Sequence, residues 1–147
     1  MTESEMKIWL RKNWDGWMET YEPRIGSGIG IPDVQIVVDK AIIPIELKLA
    51  RIEREMLFSS PIRPSQIAWH RALSEFEVPS LFLFGVGKTG KKPVRLFVSM
   101  AGPVSGWENG LSIENLRELP TSKKGFSSEL QIYVRGVKFL WRKFSEY

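Results

Sequence analysis

The chain has 147 residues, 43% of them hydrophobic, which suits one domain with a real core. It has no cysteine and one histidine, His70, which excludes disulfides and cysteine-ligated zinc and argues against histidine-rich metal sites and histidine-based triads. The net charge is +4, with fifteen basic and fifteen acidic side chains in residues 1–122 but six and two in residues 123–147, so the excess at the C-terminal end suits a polyanionic partner or a solvated helix face.

Residues 3–18 read as an amphipathic helix, because Met6, Trp9, Leu10, Trp14 and Trp17 approximate the i, i+3, i+4 rhythm. Thr2 with Glu5 three residues on fits a capping box. Residues 21–31 read as a loop carrying Gly26, Gly28 and Gly30. It is not a dinucleotide fingerprint, since Ile31 stands at the third glycine position and no helix follows. The glycines either let backbone approach a strand or a phosphate, or give a flexible entry to the first strand.

Residues 34–38 and 41–49 read as a β-hairpin with Asp39-Lys40 at its tip. Side chains two apart on a strand share a face, so Glu46 and Lys48 point one way and Ile45, Leu47 and Leu49 the other. Asp33 stands at the entry to the partner strand. Pairing the strands brings its carboxylate next to Glu46, a two-carboxylate arrangement suited to a hard divalent cation. Pro44 marks either an edge or a bulge in its strand.

Residues 50–63 read as an exposed connection in which Arg51 and Arg54 pair with Glu53 and Glu55 or touch phosphate. A second helix is expected over 64–76, with Pro64 in its first turn and Gln66 and His70 one turn apart on one face. Residues 78–86 form an apolar run suited to a buried strand. Gly87-Lys88-Thr89 is not a phosphate loop, because Phe82 occupies the first glycine position and a strand-like run follows. Lys88, Lys91 and Lys92 read instead as a basic hairpin tip. Farther on, a short helix is expected at 112–118 and a strand at 130–134. Val137, Leu140, Trp141 and Phe144 space out an amphipathic helix whose other side shows Lys138, Arg142 and Lys143. No apolar run approaches membrane-spanning length, the start lacks a signal-peptide core, and the missing cysteines favour an intracellular location.

Pro32-Asp33 followed, after a hairpin, by Glu46-Leu47-Lys48 resembles the PD-(D/E)XK nuclease superfamily. The stretch Pro64-Ser65-Gln66 to His70 resembles the glutamine-bearing helix of the virus-type replication-repair nucleases (VRR-Nuc) and related Holliday-junction resolvases. Glu3-Ser4-Glu5-Met6 resembles their first helix, which carries an auxiliary acid. The resemblance covers about residues 3–86.

It implies an α/β, restriction-endonuclease-like fold: an αβββαβ core with a mixed central sheet flanked by helices, plus a C-terminal strand and basic amphipathic helix. Residues 1–147 would be a single nuclease domain, with its core at about 3–100 and an extension at about 101–147. It also implies a Mg²⁺-dependent endonuclease, with Mn²⁺ as the alternative ion. Asp33, Glu46 and the Leu47 carbonyl would bind metal. Lys48 would orient the attacking water or stabilise the phosphorane, Gln66 would assist, and Glu5, or else Glu3, would be the auxiliary acid. His70, Lys88, Lys91, Lys92, Lys138 and Arg142 would contact DNA, and the chain would act as a homodimer on branched or flapped DNA in replication, repair or recombination. The implied setting is the cytoplasm of a bacterial cell or phage-infected host. Three alternatives stay open: a site-specific restriction-type endonuclease, a non-catalytic DNA-binding protein on the same scaffold, and a structural phage protein in which Asp33 is a turn acid and Glu46 and Lys48 a strand-face ion pair.

Overall fold

The computed structural model describes residues 1–20, 32–76, 78–87, 90, 92–101 and 109–145, with the side chains of 138–145 left outside the description. The elements run α1 (Glu3–Asn13), β1 (Met18–Thr20), β2 (Val34–Val38), β3 (Ala41–Glu53), β4 (Met56–Ser59), α2 (Pro64–Glu75), β5 (Leu81–Val86), β6 (Arg95–Met100), β7 (Leu111–Ser112), a 3₁₀ turn (Ile113–Asn115), β8 (Arg117–Leu119) and α3 (Lys123–Ser145).

Helix α1 begins where the capping pattern sets it: Thr2 Oγ1 accepts from the Glu5 N–H at 3.1 Å. It stops five residues short of the expected end. Trp14 adopts extended backbone, the Asn13 side chain donates back to the Trp9 carbonyl at 2.7 Å, and the Trp14 indole donates to the Trp17 carbonyl at 3.0 Å. Trp17 therefore leaves the helix and lies half exposed, while Met6, Trp9, Leu10 and Trp14 are buried.

The β2–β3 hairpin has the expected tip. Asp39 and Lys40 both take positive φ, 49° and 68°, and Val38 pairs with Ala41 across them. The register runs without a break from Val38↔Ala41 to Val34↔Ile45, so no bulge precedes Glu46. Pro44 is accommodated by direction instead. A two-residue hairpin turns the N–H groups of Ala41, Ile43 and Ile45 toward β2, so the Pro44 nitrogen faces the opposite side. There β5 begins its pairing only at Ile45↔Leu81, and no ladder donor is lost.

Residues 50–59, expected as an open connection, are structured. Strand β3 continues to Glu53, turns tightly through Arg54 and Glu55 (φ 50° and 63°), and returns as β4. Arg51 lies exposed, paired with Glu53 at 2.8 Å and stacked over Phe58. Strand β5 then runs parallel to β3 after the α2 crossover, and β6 and β8 add antiparallel. Among the described residues this makes one mixed eight-stranded sheet, ordered β1-β2-β3-β5-β6-β8, with β4 on the far end of β3 and β7 on β4.

The sheet is covered on both faces. On one, α1 and α3 bury Val34, Ile36, Ile43, Ile45, Leu47, Leu81 and Leu83 beneath Met6, Trp9, Leu10, Phe126, Leu130 and Val134. Met6 comes so close to β5 that a Cβ at Gly85 would stand 2.8 Å from its sulfur. The opposite face buries Phe82, Phe84 and Phe97, and α2 lies over it.

Two C-terminal expectations fail. The stretch 130–134 is helix, because α3 starts at Lys123: Phe126, Leu130, Val134 and Val137 are buried at helical spacing, and that stripe overrides the strand preference of Ile132, Tyr133 and Val134. Instead of a helix at 112–118 there is one 3₁₀ turn between two very short strands. Arg135 ties α3 to the hairpin tip through a two-pronged pair with Asp39 at 2.9 and 3.2 Å. No described helix is long and apolar enough to cross a membrane.

Candidate active site

Continuing the β2–β3 register by one pair sets Asp33 opposite Glu46, and the side chains meet as expected. The hairpin also explains what Asp33 does there. The Leu47 N–H points toward β2, where the next acceptor in the ladder would belong to Pro32; the Asp33 carboxylate takes this N–H instead, at 3.0 Å through Oδ2. Pro32 has no N–H to give, so the ladder supplies no donor to the Leu47 carbonyl, which points to the same side.

Glu46 and Lys48 lie on the α2 face, at 3% and 6% exposure. Strand β3 is central here, with β2 and β5 beside it and a helix layer on each face, so its polar residues are enclosed along with its apolar ones. Gln66 organises them. Its Oε1 accepts from Lys48 Nζ at 3.3 Å and from the Arg63 backbone N–H at 3.0 Å. Two donors fix that atom as oxygen, which turns Nε2 to Glu46 Oε1 at 2.5 Å. One amide thus caps α2, holds Lys48 and holds one Glu46 oxygen. The other, Oε2, is buried and receives no donor while the carboxyl is ionised; when protonated, the carboxyl bonds to Asp33.

Of the two acids, Glu46 is the one shifted. Burial raises the Glu46 pKa to about 8, and Asp33 adds to this through its charge and a hydrogen bond; Lys48 opposes the shift and Glu3 reinforces it. Glu3 is therefore the first-helix acid whose charge reaches Glu46. Glu5 instead occupies the capping position, its N–H held by Thr2. Lys7, one turn after Glu3 on α1, lies 3.7 Å from Asp33 Oδ1. The sequence reading passed over Lys7; its only signal there was the Glu3–Lys7 spacing of one helical turn.

His70 is displaced from its expected role. It is 4% exposed, packs against Phe82 with ring centroids 5.1 Å apart, and shares a 2.8 Å hydrogen bond with Ser80 through Nδ1. Burial, with Lys48 nearby, lowers its pKa to about 4, so it is a neutral core residue and not a DNA contact. Lys92 is exposed on the β5–β6 connection. Lys88 and Lys91 lie outside the described residues, and Lys138 and Arg142 sit in α3 with side chains outside the description.

Among the described residues no group of three or more His, Cys, Asp or Glu side chains gathers to hold a metal. What is present is a pair of carboxyl groups, one of them with a buried oxygen that receives no donor when ionised, and a strand carbonyl with no ladder donor. This all-oxygen donor set fits Mg²⁺ or Mn²⁺, which need few protein ligands and keep several waters. No protein-family model matches the chain, and no curated protein matches it in sequence.

Proposed function

We propose that this chain is a divalent-cation-dependent nuclease whose site is Asp33, Glu46, Lys48 and Gln66, acting on DNA of branched or flapped form. The observation that carries the reading is the buried, unpartnered Glu46 Oε2 beside Asp33, with Lys48 fixed on the same strand face. With both carboxyls ionised that oxygen has no donor, at a cost of about 1–3 kcal/mol, which a cation removes and which the metal-free site relieves by keeping a proton between Glu46 and Asp33. The element order is a second support: α1, β1, β2, β3, α2 and β5 follow the αβββαβ sequence, with β4 as an added hairpin arm.

Asp33, Glu46 and the Leu47 carbonyl would hold the cation, which supplies charge neutralisation and a more acidic water. Asp33 keeps its orientation because Leu47 N–H holds Oδ2. Glu46 is held by Gln66 through Oε1, and its carboxyl meets Asp33. Lys48 brings a positive charge to the developing phosphorane, and the Gln66 oxygen limits its rotation. With Glu46 and Lys48 held by one amide and Asp33 by one N–H, little reorganisation is left for the reaction itself.

One observation favours a second reading. Lys48 and Glu46 are both nearly enclosed, as the members of a purely structural polar cluster would be. A panel of labelled linear duplex, single-stranded, flap and four-way-junction DNA separates the two, run with Mg²⁺, Mn²⁺ or EDTA. The nuclease reading expects metal-dependent cutting, strongest on flap or junction, and lost in Asp33→Asn while DNA binding persists. Cutting that survives in Asp33→Asn refutes the site. Binding without cutting by the unmodified chain, in either metal, returns the non-catalytic scaffold. Cutting confined to one duplex sequence returns the restriction-type alternative.

A further inference from the structure

We propose that Lys7 is the resident counter-ion of the carboxylate pair: it neutralises Asp33 in the absence of metal, competes with the divalent cation for Asp33 Oδ1, and passes to a substrate phosphate oxygen when the cation enters. The inference rests on the nuclease reading above and assigns a residue that neither the motif nor the resemblance includes.

Four carboxyl oxygens line the site, and two are committed to the scaffold. Asp33 Oδ2 accepts the Leu47 N–H, and Glu46 Oε1 accepts the Gln66 amide. The remaining two are Asp33 Oδ1 and Glu46 Oε2. These are the two carboxyl oxygens that would be open to a cation. Oε2 receives no donor when Glu46 is ionised, whereas Oδ1 faces the Lys7 ammonium at 3.7 Å. That separation exceeds a hydrogen bond, so the contact is a charge–charge one, easily exchanged for another cation. It is also sheltered, with side-chain exposures of 12% for Lys7 and 17% for Asp33, so salt screens it less than a surface pair.

The helix supports this placement. Glu3 and Lys7 are one turn apart on α1, in the favourable acid-first order, and Glu3 acts on Glu46 while Lys7 acts on Asp33. Arg11, one turn farther, is engaged elsewhere, donating to Thr20 Oγ1 at 2.7 Å. Lys7, 3.7 Å from Oδ1, is the one of these two cations placed against the carboxyl pair. With a divalent ion held at Asp33, one of the three rotatable ammonium donors would be in position to turn to an ion-bound phosphate.

Direct Mn²⁺ titration of the whole chain, by the loss of the free-ion resonance signal, tests the competition without any cleavage. Lys7→Gln is expected to bind Mn²⁺ about three- to tenfold more tightly than the unmodified chain, from the loss of one partly buried competing charge. Lys7→Arg, which keeps the charge, is expected to stay near the unmodified affinity. Arg11→Gln, which removes an equal charge one turn away, is expected to change it less than about twofold, since an exposed charge is well screened at that range. In the same preparations with Ca²⁺, anisotropy of a labelled flap should show the salt dependence of Lys7→Gln reduced by about one unit of slope, one phosphate contact. Equal gains in Lys7→Gln and Arg11→Gln would reduce the effect to general charge and overturn the inference. So would an unchanged or weaker Mn²⁺ affinity in Lys7→Gln, or an unchanged salt slope. If the unmodified chain shows no saturable Mn²⁺ binding, the metal reading itself falls, and this inference with it.

Discussion

Metal-free protein is expected to lose stability as the pH rises from 6.5 to 8, an uncommon direction for a chain with a carboxylate pair. Glu46 is the cause. Its pKa is raised from 4.5 to about 8 in the fold, so between those values the folded chain holds a proton that the unfolded chain has released. Stability falls with pH wherever the folded state binds more protons, by about 1.4 kcal/mol per pH unit for one proton. His70 has the opposite sign: its pKa is lowered from 6.5 to about 4, so below pH 6.5 the unfolded chain binds the extra proton and stability rises with pH. From about 4.5 to 6.5 the two slopes oppose and largely cancel. Above 6.5 His70 is neutral in both states, and Glu46 alone remains, amounting to about 2 kcal/mol by pH 8. The other resolved shifts, on Tyr133, Arg95, Arg135 and Glu118, fall outside this window. Urea melts in EDTA at half-unit steps from pH 5 to 8.5 measure the profile, with Glu46→Gln as the control that should flatten it above 6.5. Saturating Mg²⁺ should also remove the decline, because it favours the charged carboxylate. A flat or rising profile for the unmodified chain in EDTA, or the same decline in Glu46→Gln, would refute the reasoning.

Two further outcomes follow from the same network. Gln66→Leu removes three hydrogen bonds at once and leaves a buried carboxyl oxygen, a buried ammonium and the Arg63 N–H without their partner. The expected loss is about 3 kcal/mol, or about 6–12 °C in Tm for a chain of this size. A loss below about 1 kcal/mol would mean the amide does not link these groups. His70→Phe keeps an aromatic ring against Phe82 and removes an imidazole whose Nε2 is buried without a partner, leaving Ser80 Oγ to re-pair. Stability at pH 7 should stay within about 1 kcal/mol, and the variant should go on gaining stability as pH falls below 6.5, where the unmodified chain is flat. Its DNA affinity should not change. Urea melts and anisotropy check both halves, and an unchanged acid profile would show that His70 is not held neutral.

Much of the scaffold was legible locally. A two-residue Asp-Lys tip and a period of two are enough to pair β2 with β3, put Glu46 and Lys48 on one face and bring Asp33 alongside Glu46, because hairpin register is set by turn length. The starts of α1 and α2 were legible too, the first from a cap between residues three apart and the second from Pro64, whose fixed φ suits a first turn. What local pattern left open was anything decided by a partner distant in the chain. Strand β3 reads as half-exposed from its alternation, yet β5 arrives in parallel beside it and α2 closes over it, so the polar face is buried as well. That burial raises Glu46, lowers His70 and makes Gln66 a bridge between helix and strand. The segment 130–134 has strand-like composition, and it became helix because the sheet already offered an apolar face that Phe126, Leu130 and Val134 fit at helical spacing. Lys7 looked like any surface lysine, until the end of β2 delivered Asp33 to it. Residue type and short-range spacing therefore determined which chemical groups sit on the hairpin. Their protonation, their enclosure and their third partners depend on desolvation and on long-range pairing, which arise only once the sheet and its two helix layers are assembled.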